Sequence, residues 1–265
     1  PSRRDEEWMR TDIRLFRMDR FGEPEKNPGE NLPHAILGGE IEVAGMMTSK
    51  NSQSLDTQLD PALAAQGVLF GDLESMVCEH ADLIQPHLMA RAVDPLYDKF
   101  SALHGAFWRG GTLLYVPRGV VIEQPLCALT ALGEGQIDLG HTLVVLEDGA
   151  EATLLSESHS MPGCESGLHF GAVEMLLAPE SRLRYVNLQD WGTGVWHFSH
   201  QKAVVDRDAS IQWTIGALGS KLAKVNQHVA LVGTGADAQV NGVMFAEGKQ
   251  HLSYHTLQHH EAPGC

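Results

Sequence analysis

Five copies of one seven-residue pattern decide the fold: VPRGVVI (116–122), LEDGAEA (146–152), LAPESRL (177–183), VDRDASI (205–211) and VGTGADA (232–238). Each copy begins and ends with an apolar residue and has a turn-forming residue at its centre. Those central residues follow one another at steps of 30, 31, 28 and 27 residues: Gly119, Gly149, Glu180, Asp208 and Gly235. A repeat of about 29 residues indicates a solenoid in which each repeat forms one coil.

Strand-like segments flank every copy of the pattern, as in HTLVVLE (141–147), RLRYVNL (182–188) and SIQWTIGAL (210–218). They are rich in β-branched and aromatic residues, which suit a pleated surface. A β-sandwich is the alternative, but its hairpins recur every 8 to 12 residues or so without a longer period. We therefore predict a mainly β protein in which residues 109–265 form a right-handed parallel β-helix that ends in mid-repeat.

Residues 1–108 have a different character and predict a smaller α-helical N-terminal region. Between Asp60 and Ala106 apolar residues recur at helical spacing, and Pro86 and Pro95 divide this stretch into short helices. Residues 2–16 are compatible with a short amphipathic helix. Residues 21–58 are rich in Gly, Pro, Ser and Asn and predict a loop or linker, apart from a short apolar stretch at 35–43.

Composition limits the partners and the compartment. The chain has 34 acidic and 19 basic residues among 265, and its net charge of −15 would repel a phosphate backbone or an anionic membrane. No apolar run approaches the roughly 20 residues that span a bilayer, and no signal-like segment precedes the charged opening. Four widely spaced cysteines indicate reduced thiols. We expect no nucleic-acid or membrane partner and a cytoplasmic protein.

Three blocks of sequence resemble the SufB/SufD family of iron-sulfur cluster assembly proteins. FWRGGTLLYVPRGVVIEQPL (107–126) is similar to the start of that family's β-helix, LHFGAVEMLLAPESRLRYVNLQDWG (168–192) to its next recognisable stretch, and RRDEEWMRTDI (3–13) to the amino-terminal signature of the SufD branch. In the first block the matching residues are expected to be structural: Phe107, Trp108, Gly111, Val116, Pro117, Gly119, Val120, Glu123 and Pro125.

The resemblance implies a non-catalytic scaffold subunit that joins a SufB-type subunit and a SufC-type ATPase and supports cluster assembly and the entry of iron. It implies no tightly bound cofactor on this chain, with an iron-sulfur cluster held only in the full complex. It also implies the cytoplasm, or the plastid stroma in a photosynthetic eukaryote. SufB-type subunits resemble one another in a sulfur-accepting cysteine inside the β-helix, near whose place this chain has Val204, which favours the SufD branch.

The family also continues past the β-helix, into a motif with Cys and His and then a helical segment that docks on the ATPase. Because the repeat is still running at Cys265, we expect the chain to stop before both. A β-helix that stops within its repeat leaves open strand edges and an uncovered apolar core. We therefore expect the chain to associate with itself or to bury that end.

The last eleven residues, HTLQHHEAPGC (255–265), contain candidate metal ligands: His255, His259, His260 and Cys265, together with Glu261. Zinc and iron bind three or four such groups. On a strand, however, His255 and His259 lie about 13 Å apart on one face, and His260 lies on the other. The alternative is a polar strand followed by a corner at residues 262–264.

Other reactive side chains favour structural explanations. His197 and His200 are expected on opposite faces of a strand, as surface residues beside core aromatic side chains. Cys127 is expected to be a buried small hydrophobe. Cys164 lies in a predicted loop, and the charge of Glu165 is expected to raise its pKa.

Two other functional classes remain open from the residues alone. A polysaccharide-acting β-helix enzyme would align carboxylates on successive coils, but Asp206 and Asp208 are better explained as turn residues. A cupin-like metal-binding β-barrel would require a His-x-His pattern, which does not occur in the sequence. The glycine-rich stretch 233–242 lacks the lysine of a phosphate-binding loop and is expected to form a coil corner.

Overall fold

The computed structural model describes residues 6–22, 32–39 and 41–265, and its strands form two sheets. Sheet I contains, in chain order, β1 (Gly45–Lys50), β2 (Gln53–Leu59), β5 (Leu126–Leu132), β8 (Glu151–Ser160), β10 (Arg182–Asp190), β12 (Ser210–Ala217) and β14 (Asp237–Met244). Sheet II contains β3 (Leu69–Asp72), β4 (Gly111–Val116), β7 (His141–Leu146), β9 (Gly167–Leu177), β11 (Val195–Val205), β13 (Leu222–Leu231) and β15 (His251–His260), and a short β6 (Ile137–Asp138) pairs with β9.

From β4 onward the chain passes alternately between the sheets, and each strand pairs in parallel with the next strand of its own sheet. The result is a parallel β-solenoid of about five turns in a mainly β protein, with 47% strand and 12% helix, as the repeat predicted. The hand of the coil stays a prediction.

The five predicted turn residues all have left-handed backbone conformations. Their φ angles are 70° at Gly119, 67° at Gly149, 65° at Glu180, 55° at Asp208 and 75° at Gly235. A positive φ is accessible to Gly and is tolerated with strain by other residues, which explains why three of the five are Gly. The predicted corner at residues 262–264 continues the series, with a φ of 70° at Gly264.

The core between the sheets consists of in-register apolar ladders. In sheet II, Leu114 is paired with Val144, Val144 with Met175, Met175 with Ala203 and Ala203 with Val229. All five side chains are buried. Equivalent residues of successive coils therefore stack on one another, so each coil stabilises its neighbours.

The N-terminal region covers the outer face of sheet II with α2 (Leu73–Glu79), α3 (Ala81–Ile84) and α4 (Lys99–Phe107), whereas α1 (Pro61–Ala65) contributes Leu63 to the core between the sheets. Asp60, Asp72 and Asp98 cap α1, α2 and α4 by accepting backbone N–H groups. One apolar cluster joins α2 and α3 to sheet II, and a second joins Trp8 and α4 to aromatic residues of β9 and β11. The short helices on either side of Pro86 and Pro95 agree with the sequence prediction.

Two predictions for this region were wrong. The supposed loop at 21–58 contains β1 and the first part of β2, and β1 pairs in parallel with β5 and buries Met47 in the core. The composition of this stretch indicated a loop because β2 is an antiparallel strand with exposed polar residues such as Ser54 and Asp56. The amphipathic helix at 2–16 is also absent from the described residues 6–16, where only a 3₁₀ turn at Glu6–Trp8 forms; residues 2–5 lie outside the described residues.

Candidate functional site

The three terminal histidines contact different groups. His259 is exposed and its Nδ1 lies 3.1 Å from Glu261. The Nδ1 atom of His260 lies 3.0 Å from the Cys265 carbonyl oxygen and 3.4 Å from its Sγ, whereas His255 lies 3.8 Å from Glu7. Within residues 6–22, 32–39 and 41–265, no three His, Cys, Asp or Glu side chains form a group that could hold a metal ion. Ligation by the terminal residues stays a prediction.

The residues of the first family-like block shape the start of the β-helix. Phe107 ends α4 and is exposed, and the Trp108 ring lies 5.9 Å from that of His141. Gly111 has a φ of 108° and leaves no room for a Cβ, which would lie 2.1 Å from the His141 carbonyl oxygen. The other residues of the block lie on β4, in the first corner or before β5: Val116, Pro117, Gly119, Val120, Glu123 and Pro125.

The interior of the β-helix becomes polar away from the corners. A cavity lies there in which the centres of water-sized molecules have about 50 Å³ of room, and serine, threonine and amide side chains of both sheets line it. The lining includes Thr142, Ser158, Gln189, Ser199 and Gln201. Gln189 is buried, and its Oε1 has no hydrogen-bond partner among the described residues. Because buried polar groups are normally paired, these side chains indicate an interior that accommodates water or a small polar ligand.

Two histidines and an aspartate form the most concentrated polar group in this cavity. The Nδ1 atoms of His169 and His197 lie 2.7 Å apart, and His169 Nε2 lies 3.5 Å from Asp138 Oδ1. Asp138 also accepts hydrogen bonds from the backbone N–H and hydroxyl of Ser52. A carboxylate beside Nε2 of His169 favours a proton on that nitrogen, so His169 Nδ1 accepts from His197.

Burial determines the charge of this pair. It lowers the pKa of His169, against the opposing effect of Asp138, and lowers that of His197 well below its usual value with a further contribution from His169. Both imidazoles are therefore neutral at pH 7. The strand register explains their contact, because His169 on β9 is paired with His197 on β11. Gly171 makes room for the His169 ring, from which a Cβ would be only 2.3 Å away.

Burial of both histidines corrects one prediction from the sequence. His197 and His200 do lie on opposite faces of β11, but neither is a surface residue. His197 faces the interior cavity, and His200 lies under Tyr97 and Ser101 of the N-terminal region. Burial lowers the pKa of His200 to about 4. The alternation of side chains along a strand predicted the two faces of β11 correctly. It did not indicate that the helical N-terminal region covers the outer face.

A second buried network joins the N-terminal region to sheet II. His104 on α4 contacts His141 at 3.1 Å, and His141 contacts Glu174 at 3.0 Å. Glu174 also accepts the backbone N–H groups of Met89 and Val93. Burial lowers the pKa of His104 well below its usual value. The network fixes α4 and the chain before it on the outer face of the β-helix.

The cysteines lie where the sequence suggested. Cys127 is buried, and burial, followed by the charge of Glu157, raises its pKa to about 12. Cys164 lies in the turn after β8 and is half-buried. Its pKa is raised as predicted, but the cause is burial, with a smaller contribution from the charge of Glu134, rather than the charge of Glu165.

Comparison with known proteins assigns the two parts of the chain to one class. Residues 129–265 match the domain described as "SUF system FeS cluster assembly, SufBD core domain", and residues 1–127 match the "SufBD protein N-terminal region". The fold and these matches define a β-helical protein built from SufBD domains. The chain belongs to the SufBD family.

Curated relatives support the same assignment. The iron-sulfur cluster assembly protein SufB of Bacillus subtilis (strain 168) is 29% identical over 228 residues, covering 83% of this chain and 48% of the relative. A SufBD family protein of Staphylococcus epidermidis is 27% identical over 222 residues, with the same coverage. A protein of Staphylococcus aureus (strain USA300) is 27% identical over 228 residues, again with the same coverage. The chain thus spans about half the length of these relatives. The first is named SufB and the other two carry only the family name, so these matches do not distinguish a SufD branch for this chain.

No helix in the described part of the chain is long and apolar enough to cross a bilayer.

Proposed function

We propose that the protein is a non-catalytic scaffold subunit of the SufD branch, in a SufBCD-like complex that assembles iron-sulfur clusters. In this complex a SufB-type subunit is its partner and a SufC-type ATPase supplies the energy, and the subunit supports cluster assembly and iron entry. The observation that carries the proposal is the match of both parts of the chain to SufBD domains. The stacked ladders of the β-helix support a rigid scaffold role.

The proposal is tested by co-purification of the full-length protein with SufB-type and SufC-type subunits from the same organism. We expect a stable complex of all three proteins. Failure of the full-length protein to bind either subunit would contradict the scaffold role.

The edges of the two sheets support a prediction of self-association for the 265-residue chain. Among the described strands, β14 and β15 each pair on one side only, and Val243, Phe245 and Leu257 are exposed near them. Open strand edges with apolar side chains promote association. Light scattering should therefore detect dimers or larger species, and a monodisperse monomer at high concentration would refute the prediction.

Metal binding by the terminal residues is tested separately. If they bind a metal, changing His255 and His259 to Ala should lower the metal content of the purified chain. Unchanged metal content would remove these residues as ligands. The paired change to Ala of His80, between α2 and α3, and His87, after α3, is the matched control.

A further inference from the structure

Residues 32–39 form a segment, the strap, on the outer face of sheet I. Hydrogen bonds to one carboxylate hold this segment in place. Glu157 on β8 has no exposed side-chain surface. Its Oε2 accepts the backbone N–H of Ile36 at 2.6 Å, and its Oε1 accepts those of Leu37 at 2.7 Å and Gly38 at 3.0 Å. Three consecutive amides of the strap therefore point to a single buried anion.

Two further groups surround this carboxylate on the sheet. Nε2 of His159 lies 3.1 Å from Glu157 Oε2, and Nδ1 of the same ring lies 3.4 Å from Asp190 on β10. Burial tends to raise the pKa of Glu157, but the hydrogen bonds from His159 and the strap outweigh it, so the pKa is lowered. The carboxylate is consequently ionised when the strap is docked.

The Cys127 thiol lies directly beneath the strap. It is on β5, its Sγ is 3.9 Å from Glu157 Oε1, and it is fully buried. Gly38 covers it so closely that a Cβ added at Gly38 would lie 2.5 Å from Sγ. Only a glycine fits over the thiol in this arrangement.

The strap and the buried charge depend on each other energetically. A buried carboxylate is strongly unfavourable unless donors replace its lost water, and here three of the five donors belong to the strap, the others being His159 and the Cys127 thiol. Apolar burial contributes less, because Ile36 is 59% exposed and Leu37 is only half-buried. Loss of the carboxylate's charge should therefore release the strap while the ladders of sheet I remain intact.

We propose that the strap is a removable cover that controls access to the Cys127 thiol, and that the Glu157 carboxylate is its latch. In the covered state the thiol is buried and protonated, which makes it a poor nucleophile. In the open state it would face solvent beside Glu157, His159 and Asp190. The protein would thereby have one thiol whose reactivity is set by a local opening rather than by global unfolding.

The experiment measures how fast N-ethylmaleimide labels Cys127 in a 265-residue chain with Cys78, Cys164 and Cys265 changed to Ser. We expect slow labelling in this parent chain. Glu157→Gln should accelerate it by roughly tenfold to a hundredfold, the effect of losing charged hydrogen bonds from a docked segment. Glu151→Gln is the matched control, since Glu151 is on the same strand in an exposed ion pair with Arg182, and it should leave the rate unchanged.

Gly38→Ala tests the cover without altering the sheet. Its added Cβ should lift the strap and also accelerate labelling, and Cys127→Ala should restore amide protection at Ile36 and Leu37 in the Gly38→Ala background. Hydrogen exchange of β5 and β8 should stay slow in every variant. Labelling that is no faster in Gly38→Ala, or that accelerates only together with exchange throughout β5 and β8, would overturn the proposal.

Discussion

The interior of the β-helix has two halves with different chemistry. Near the corners, β7 contributes Val144 and Leu146 to a dry apolar core, while at its other end Thr142 lines the polar cavity. β11 changes in the same way, from Ala203 near the corner to His197 at the other end. The apolar half supplies the stacking energy of the coils, and the polar half, with its incompletely paired groups, is the part of the interior suited to a ligand or to water.

The largest effect should separate the two halves of β7. Leu146→Ala should destabilise the protein by about 2–5 kcal/mol because it leaves a cavity in a packed core. Thr142→Ala, on the same strand, should cost less than about 1 kcal/mol because its side chain borders a cavity already. Chemical denaturation measures both values, and equal losses would show that the interior is not divided in this way.

A second change tests whether Gly171 makes room for the His169 ring in the polar half. Gly171→Ala should destabilise the protein by about 1–3 kcal/mol because the new methyl group collides with the His169 ring. His169→Ala should remove most of that penalty in the double variant. A double-mutant cycle measures the coupling, and additive effects would mean that Gly171 does not support His169.

The polar half should also make stability depend on pH. Burial lowers the pKa of His197 well below 6.5, so the unfolded state binds a proton that the folded state does not. The contribution of this group to the free energy of unfolding is fully present above about pH 6.5. It is lost as the pH falls below that value, by up to about 1.4 kcal/mol per pH unit. His197→Gln should make the dependence measured by denaturation shallower between pH 7 and 5, roughly the range where an unfolded histidine titrates, while the other buried histidines retain their contributions.

The control for this experiment is Ser199→Ala, because Ser199 lines the same cavity and its hydroxyl does not titrate in this range. It should leave the slope of stability against pH unchanged. An equal change in both variants would indicate that burial of His197 is not the cause.

The smallest effect concerns the corners that join the halves of successive coils. Glu180 has a φ of 65°, so Glu180→Gly should stabilise the protein by about 0.5–1 kcal/mol. Its exposed ion pair with Arg207 offsets little of this gain. Gly149→Ala, at the preceding corner, should destabilise by about 1 kcal/mol. A thermal melt compares the two variants, and the same sign for both would contradict the role of left-handed corners.

The sequence predicted the repeating part of the molecule well because its signals are local. Turn residues such as Gly119 and Asp208 occupy the corners at which their spacing placed them. β1 and β2 were missed because their polar and small residues resemble a loop, and only pairing with β5 reveals them as part of sheet I.

The buried polar groups could not be predicted for a different reason. His200 and Glu157 owe their burial to segments far away in sequence, and no spacing rule indicates that a helix or a strap will cover them. One signal was available in the sequence, the continuous apolar run HVALVG. Such runs are typical of strands that are buried on both faces, as β11 and β13 are. That pattern indicates a covered sheet but not which polar residues the cover will enclose.

Cluster reconstitution is the most direct test of the proposed scaffold role. The full-length protein, with its SufB-type and SufC-type partners, would be supplied with iron and sulfide under anaerobic conditions, and bound iron and acid-labile sulfide would be measured. The scaffold account predicts a cluster on the complete complex, a marked loss when this subunit is omitted, and none on the 265-residue chain alone. Equal cluster content with and without the subunit would contradict it.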